Sequence, residues 1–84
     1  MTKEGPRSRT VIDAHIGERL RLLRMERGIS QNELANALQF TDEQVRDYER
    51  GTVRISAHTL WTVTRKLDVE VAYFFDGLAE NGFH

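Results

Sequence analysis

Apolar residues at Ile12, Ile16, Leu20 and Leu23 recur at intervals of four, four and three. That spacing places them along one stripe of an amphipathic helix. Gly28 follows and supplies a left-handed stop. At Ser30 a second helix opens, because Ser30 and Glu33 form the S-x-x-E pattern in which each side chain caps the other's backbone amide. Leu34, Ala35 and Leu38 form its inner face. Thr41 and Gln44 repeat the capping pattern and predict a third helix, with Val45 and Tyr48 turned inward and Gly51 at its end. Ser56 caps a fourth helix whose stripe is Leu60, Val63 and Leu67, and a last turn or two carries Val71, Phe74 and Phe75. No alternating run long enough for a strand is present. The pattern predicts an all-α fold of five helices joined by short connections.

The ends lack this period. Residues 1–11 hold Gly5, Pro6, Ser8 and Thr10 among charges, which predicts a mobile arm, and 77–84 reads as a tail. The expected division is therefore an arm at 1–11, a helical domain at 12–76 and a tail at 77–84.

Composition narrows the function classes. At 84 residues, with 39% apolar and 30% charged positions, the chain makes one small domain with a well-solvated surface. A domain of this size buries only about 60% of its unfolded surface, so dimerisation would help it. The absence of cysteine excludes disulfides and thiolate metal sites. His15, His58 and His84 are far apart and lack ligand spacing, so neither a metal nor any other cofactor is expected. No coherent set of acid, base and nucleophile is visible, which argues against an enzyme, and no small-molecule ligand is evident. There is no apolar run of about 18 residues and no apolar signal core, so a cytoplasmic protein is expected.

Two helix starts separated by a tight turn, at Ser30 and Thr41, are the sequence form of a helix-turn-helix. The linked motifs Arg24, Gly28-Ile29-Ser30-Gln31, Glu33-Leu34-Ala35 and Tyr48-Glu49-Arg50-Gly51 resemble the Cro/lambda-repressor-like family, also called the XRE family. The resemblance runs from about Ile16 to Phe75, and Leu67–Phe75 looks like the family's closing helix. It implies a compact five-helix domain whose second and third helices bind double-stranded DNA, usually as a homodimer on a palindromic operator. It further implies that Gln31 bonds a phosphate oxygen and braces helix three. Thr41, Asp42, Glu43, Arg46 and Asp47 would face the groove with Gln44 beside them, and Arg50 and Arg54 would flank a loop near the phosphates. Arg24 and Glu49 match a structural ion pair. The outcome expected from all this is a transcriptional regulator, acting as a repressor.

Two departures from the family pattern stand out. Gln39 occupies the turn position where glycine is usual, and a left-handed non-glycine residue costs roughly 1–2 kcal/mol. A reshaped turn or a longer second helix is the expectation. Helix three is also acidic. Residues 1–30 carry seven basic and four acidic side chains, residues 31–50 two basic and five acidic, and residues 51–84 three basic and four acidic. Asp and Glu can accept from the exocyclic amine of cytosine, yet they repel phosphates. Such a reader needs basic neighbours, because phosphate contacts position the protein while base contacts specify. Arg46, Arg50 and Arg54 could provide them, assisted by Arg19, Arg21 or the arm's Lys3, Arg7 and Arg9. The acidity motivates an alternative, a protein-interaction module on the same fold with weak or no DNA binding. Trp61, Tyr73, Phe74, Phe75 and Phe83 crowd the last third of the chain. A small domain can hardly bury them all, which makes Trp61, Tyr73 and Phe74 candidates for a dimer surface.

Overall fold

A computed structural model describes residues 11–78. Residues 1–10 of the expected arm, with Lys3, Arg7 and Arg9, and the end of the expected tail, with Phe83 and His84, lie outside the described residues, while Val11, assigned to the arm by sequence, already begins α1. Five helices follow in order: α1 Val11–Glu26, α2 Gln31–Leu38, α3 Asp42–Arg50, α4 Ala57–Leu67 and α5 Ala72–Phe75. No strand occurs among the described residues.

The helix starts are those that the side chains dictate. Ser30 Oγ accepts from the Glu33 amide at 3.0 Å while the Ser30 amide donates to Glu33 Oε1 at 2.8 Å. Thr41 and Gln44 make the same reciprocal pair at 3.0 and 2.8 Å. Each box satisfies two backbone groups that a bare helix end leaves open. Ser56 Oγ caps α4 by accepting from the Thr59 amide at 3.1 Å.

At the end of α2 the structure corrects the sequence reading. The turn is not reshaped and α2 is not lengthened: the helix stops at Leu38 and Gln39 adopts the left-handed conformation at φ 62°. The Gln39 amide donates to the Asn36 carbonyl at 3.3 Å and the Phe40 amide to the Ala35 carbonyl at 2.9 Å. This pair of bonds closes a helix end in the way usually reserved for glycine. Phe40 then packs against Tyr48 with ring centroids 5.7 Å apart. The two bonds and this contact hold Gln39 in a conformation that its Cβ disfavours. Gly51 ends α3 with the same bond pattern, from Gly51 to Tyr48 and from Thr52 to Asp47, both at 3.1 Å.

The core joins all five helices. Ile16, Leu20 and Leu23 of α1 meet Leu34, Ala35 and Leu38 of α2, Val45 of α3, Leu60, Val63 and Leu67 of α4 and Phe74 of α5. Leu78 is also buried, although the sequence pattern places it in the tail. Phe74 has no exposed surface at all. It is therefore a core residue and leaves the set of dimer candidates, because a side chain enclosed within its own protomer offers nothing to a second one.

Two glycines set how closely α1 and α3 cross. A Cβ on Gly17 would collide with the backbone carbonyl of Tyr48 and lie 2.7 Å from that of Glu49. A Cβ on Gly51 would lie 2.7 Å from the Ala14 Cα, and its φ of +73° is itself unfavourable for other residues. Backbone contact at both points seats α3 directly on α1.

A polar clasp ties α1 to α5. Arg19 Nε donates to the Tyr73 carbonyl at 3.0 Å, and the Tyr73 hydroxyl donates to the Arg19 carbonyl at 3.0 Å. The guanidinium lies 4.1 Å from the Tyr73 ring centroid and 3.7 Å from Asp76. Arg19 thus serves the fold, whereas Arg21 stays on the outer face and pairs with Glu18.

Candidate nucleic-acid interface

The base of α3 is anchored by one buried carboxylate. Glu49 accepts from Arg24 Nε at 2.7 Å, from Arg24 Nη2 at 3.2 Å and from Gln31 Nε2 at 2.9 Å. Its side chain is 2% exposed and that of Arg24 15%. Arg24 also donates through Nη1 to the Ile29 carbonyl at 3.0 Å. Four elements, α1, the α1–α2 connection, α2 and α3, therefore converge on one charge-assisted network. Charged hydrogen bonds with this fork geometry are strong and directional. Within it Gln31 braces α3 from the first turn of α2, using one of its two amide protons.

The tip of α3 is held differently. The Thr41–Gln44 box fixes the backbone where the helix begins, so both residues are exposed but committed through part of their polar atoms. Asp42 accepts from Asn32 Nδ2 through both carboxylate oxygens, at 3.0 and 3.2 Å. That contact brings the first turns of α2 and α3 together. Asp42 and Glu43 also sit in the first turn of α3, where negative charge complements the helix dipole. The acidity of this helix thus has a local structural cause.

The remaining sequence-derived site residues lie further along. Glu43 and Arg50 are exposed, and Arg46 and Asp47 are half-buried. Arg54 is exposed in the α3–α4 loop, at the edge of an apolar groove lined by Ile12, Ile16, Ile55, Leu60 and Phe75. Among the described residues the ion pairs are Arg19–Asp76, Arg21–Glu18 and Arg24–Glu49. Arg46, Arg50 and Arg54 take part in none of them, so three cations make no contact ion pair among the described residues. No grouping of histidine and acidic residues suited to a metal ion occurs among the described residues. No helix among them is long and apolar enough to cross a membrane.

Asn32 and Gly17 belong to this site and are not singled out by the motif. Gly17 does leave a trace, since a glycine inside an amphipathic helix suggests close packing. Asn32 leaves none, because its partner is ten positions away across a turn.

This arrangement, a capped pair of short helices with the second presented outward on an anchored base, is that of helix-turn-helix proteins. The helix-turn-helix family profile matches residues 20–74, and the chain belongs to that family. It is 39% identical over 71 residues to an uncharacterized HTH-type transcriptional regulator of Sinorhizobium medicae, covering 84% of this chain and 51% of that protein. Among solved structures it is similar to the restriction-modification controller protein C.AhdI of Aeromonas hydrophila. That match has a TM-score of 0.69 and 32% identity, and covers 74% of this chain and 94% of the other. The clp gene regulator ClgR of Corynebacterium glutamicum gives a TM-score of 0.76 at 26% identity, over 86% and 94% of the two chains. The chain spans about half the length of several of the curated relatives it matches.

Proposed function

We propose that this protein is a sequence-specific repressor that binds a palindromic operator as a homodimer, with α3 in the major groove. The observation that carries the reading is the group of three arginines, Arg46, Arg50 and Arg54, none of which is paired with an acid among the described residues. Cations left unpaired beside an exposed helix suit phosphate oxygens, and phosphate contacts supply most of the affinity and set the register. Gln31 keeps one amide proton beyond the bond to Glu49, enough to donate to a phosphate at the amino end of α2. Thr41, Asp42, Glu43, Gln44 and Asp47 then face the base edges. A domain seated over a promoter represses by excluding other proteins from the same groove.

The homodimer is supported by apolar side chains that the protomer leaves outside. Trp61 is 55% exposed, Val71 50% and Phe75 40%, while Tyr73 is half-buried by its clasp with Arg19. Large apolar side chains left exposed by the protomer supply what an association surface needs.

Selection of bound sequences from a random duplex pool, at low and at near-physiological salt, tests the reading. The expected product is an inverted repeat with half-sites about one helical turn apart. Transcription from a promoter carrying that repeat falls when the protein is supplied. A folded sample that enriches nothing at either salt would overturn DNA recognition and leave the protein-interaction module in its place.

A further inference from the structure

We propose that Asn32, which lies outside the recognition helix, is a positioning residue for base readout, and that the Asp42 carboxylate it holds selects a cytosine. The inference rests on the reading of α3 as a DNA-reading helix. Asn32 Nδ2 lies 3.0 Å from one Asp42 oxygen and 3.2 Å from the other. One amide donor shared between both oxygens fixes the plane of the carboxylate. The Thr41–Gln44 box fixes the backbone immediately before it. Asp42 is therefore set in both main chain and side chain before any ligand arrives.

An ionised carboxylate offers about four lone-pair positions and no donor. Asn32 engages part of that capacity, and the exposed remainder can only accept. In the major groove cytosine presents a lone amine donor. Adenine presents its amine beside the N7 acceptor, and guanine and thymine present acceptors. A rigid acceptor at the tip of α3 is matched by cytosine and repelled to differing degrees by the others. Glu43, the next residue, has no comparable bond among the described residues, so it must lose rotamer freedom before it can read a base. Gln31 cannot replace Asn32 in this role, because its amide is directed to Glu49 at 2.9 Å. The two polar residues at the start of α2 thus divide the work: Gln31 braces the base of α3 and Asn32 aims its tip.

Both Asn32 and Asp42 are exposed, so either can be replaced with little disturbance of the core. The test is the random-duplex selection run in parallel on the wild type, Asp42→Asn and Asn32→Ala, with thermal melting of each protein. The wild type is expected to favour cytosine at one position of each half-site by about fivefold or more, the lower end for a single good base contact. Asp42→Asn should replace that cytosine with adenine, whose N6 and N7 an amide matches. Asn32→Ala should lose most of the preference at that one position, keep the rest of the motif and melt with the wild type. An Asp42→Asn motif that still favours cytosine at every position where the wild type does would overturn the proposal while leaving DNA recognition intact. An unchanged Asn32→Ala motif would remove Asn32 from readout. Absence of any motif for the wild type overturns the underlying reading itself, and is told apart because no variant is needed to see it.

Discussion

Glu49 shows how one side chain can govern a site from which it is hidden. Its carboxylate is almost wholly enclosed and takes three hydrogen bonds from Arg24 and Gln31. Arg24→Ala would leave that charge buried and partly unpaired, and breaking such a pair by removing one partner costs about 3–5 kcal/mol. Chemical denaturation should register a loss of that size. Gln31→Ala, which removes a single hydrogen bond to a charged group, should cost about 1.5–3 kcal/mol at most. Gln39 points the other way. Its left-handed backbone carries a strain of roughly 1–2 kcal/mol, which glycine would relieve, while glycine's looser unfolded chain takes back about 0.5–1 kcal/mol. Gln39→Gly should therefore raise the melting temperature by a few degrees, since about 1 kcal/mol corresponds to roughly 4–8 °C in a domain of this size. An unchanged or lower melting temperature would mean that the Gln39 side chain contributes contacts worth more than its strain.

At the scale of the element, α3 is an acidic helix flanked by arginines that form no ion pair among the described residues. The acids in its first turn favour the helix dipole, and the box at Thr41 and Gln44 sets its first turn. These local preferences make α3 a stable helix without deciding which of its faces is presented outward. Seating on α1 decides that, through the close approaches at Gly17 and Gly51. Arg46→Ala and Arg50→Ala should each weaken operator binding across all sequences and reduce the slope of log K against log salt by about 1, the signature of one lost phosphate contact. Glu43→Gln should alter base preference more than affinity. Titrations at several salt concentrations separate the two effects, and unchanged binding in all three variants would show that the wrong face of α3 has been assigned to the groove.

For the whole molecule the question is what covers the apolar side chains left outside. Trp61 is more than half exposed on α4 and stacks on His58, with Arg65 at 5.1 Å. Trp61→Ser should leave the protomer folded. If α4 lies at the dimer contact it should weaken self-association by about 30-fold or more, the loss of 2 kcal/mol that marks an aromatic anchor in an interface. Sedimentation over a concentration series reads this directly, and operator affinity should fall with it. Phe74→Ala makes the contrast, since emptying a fully buried aromatic site costs about 3–5 kcal/mol and unfolds the protomer rather than separating two of them.

The sequence by itself determined the features whose partners are close along the chain. Ser30 with Glu33 and Thr41 with Gln44 are three residues apart, and the stripes of α1 and α4 follow the helical period, so local bonding and periodicity were enough to place five helices and the starts of α2, α3 and α4. The residue types of the Arg24–Glu49 pair were legible from the motif that holds them. Tertiary structure alone decided the rest. Arg19 meets Tyr73 across 54 positions and Asn32 meets Asp42 across ten, and Glu49 is fixed as the partner through which Gln31 braces α3. Each depends on the angle and distance at which two helices cross, which no local period encodes. The same crossing buries Phe74 and Leu78 while leaving Trp61 outside, although the aromatic residues look alike in sequence. Gln39 is left-handed for a related reason: the turn it occupies is held by backbone bonds and by Phe40 packing on Tyr48, and this tertiary constraint outweighs the preference of a single residue.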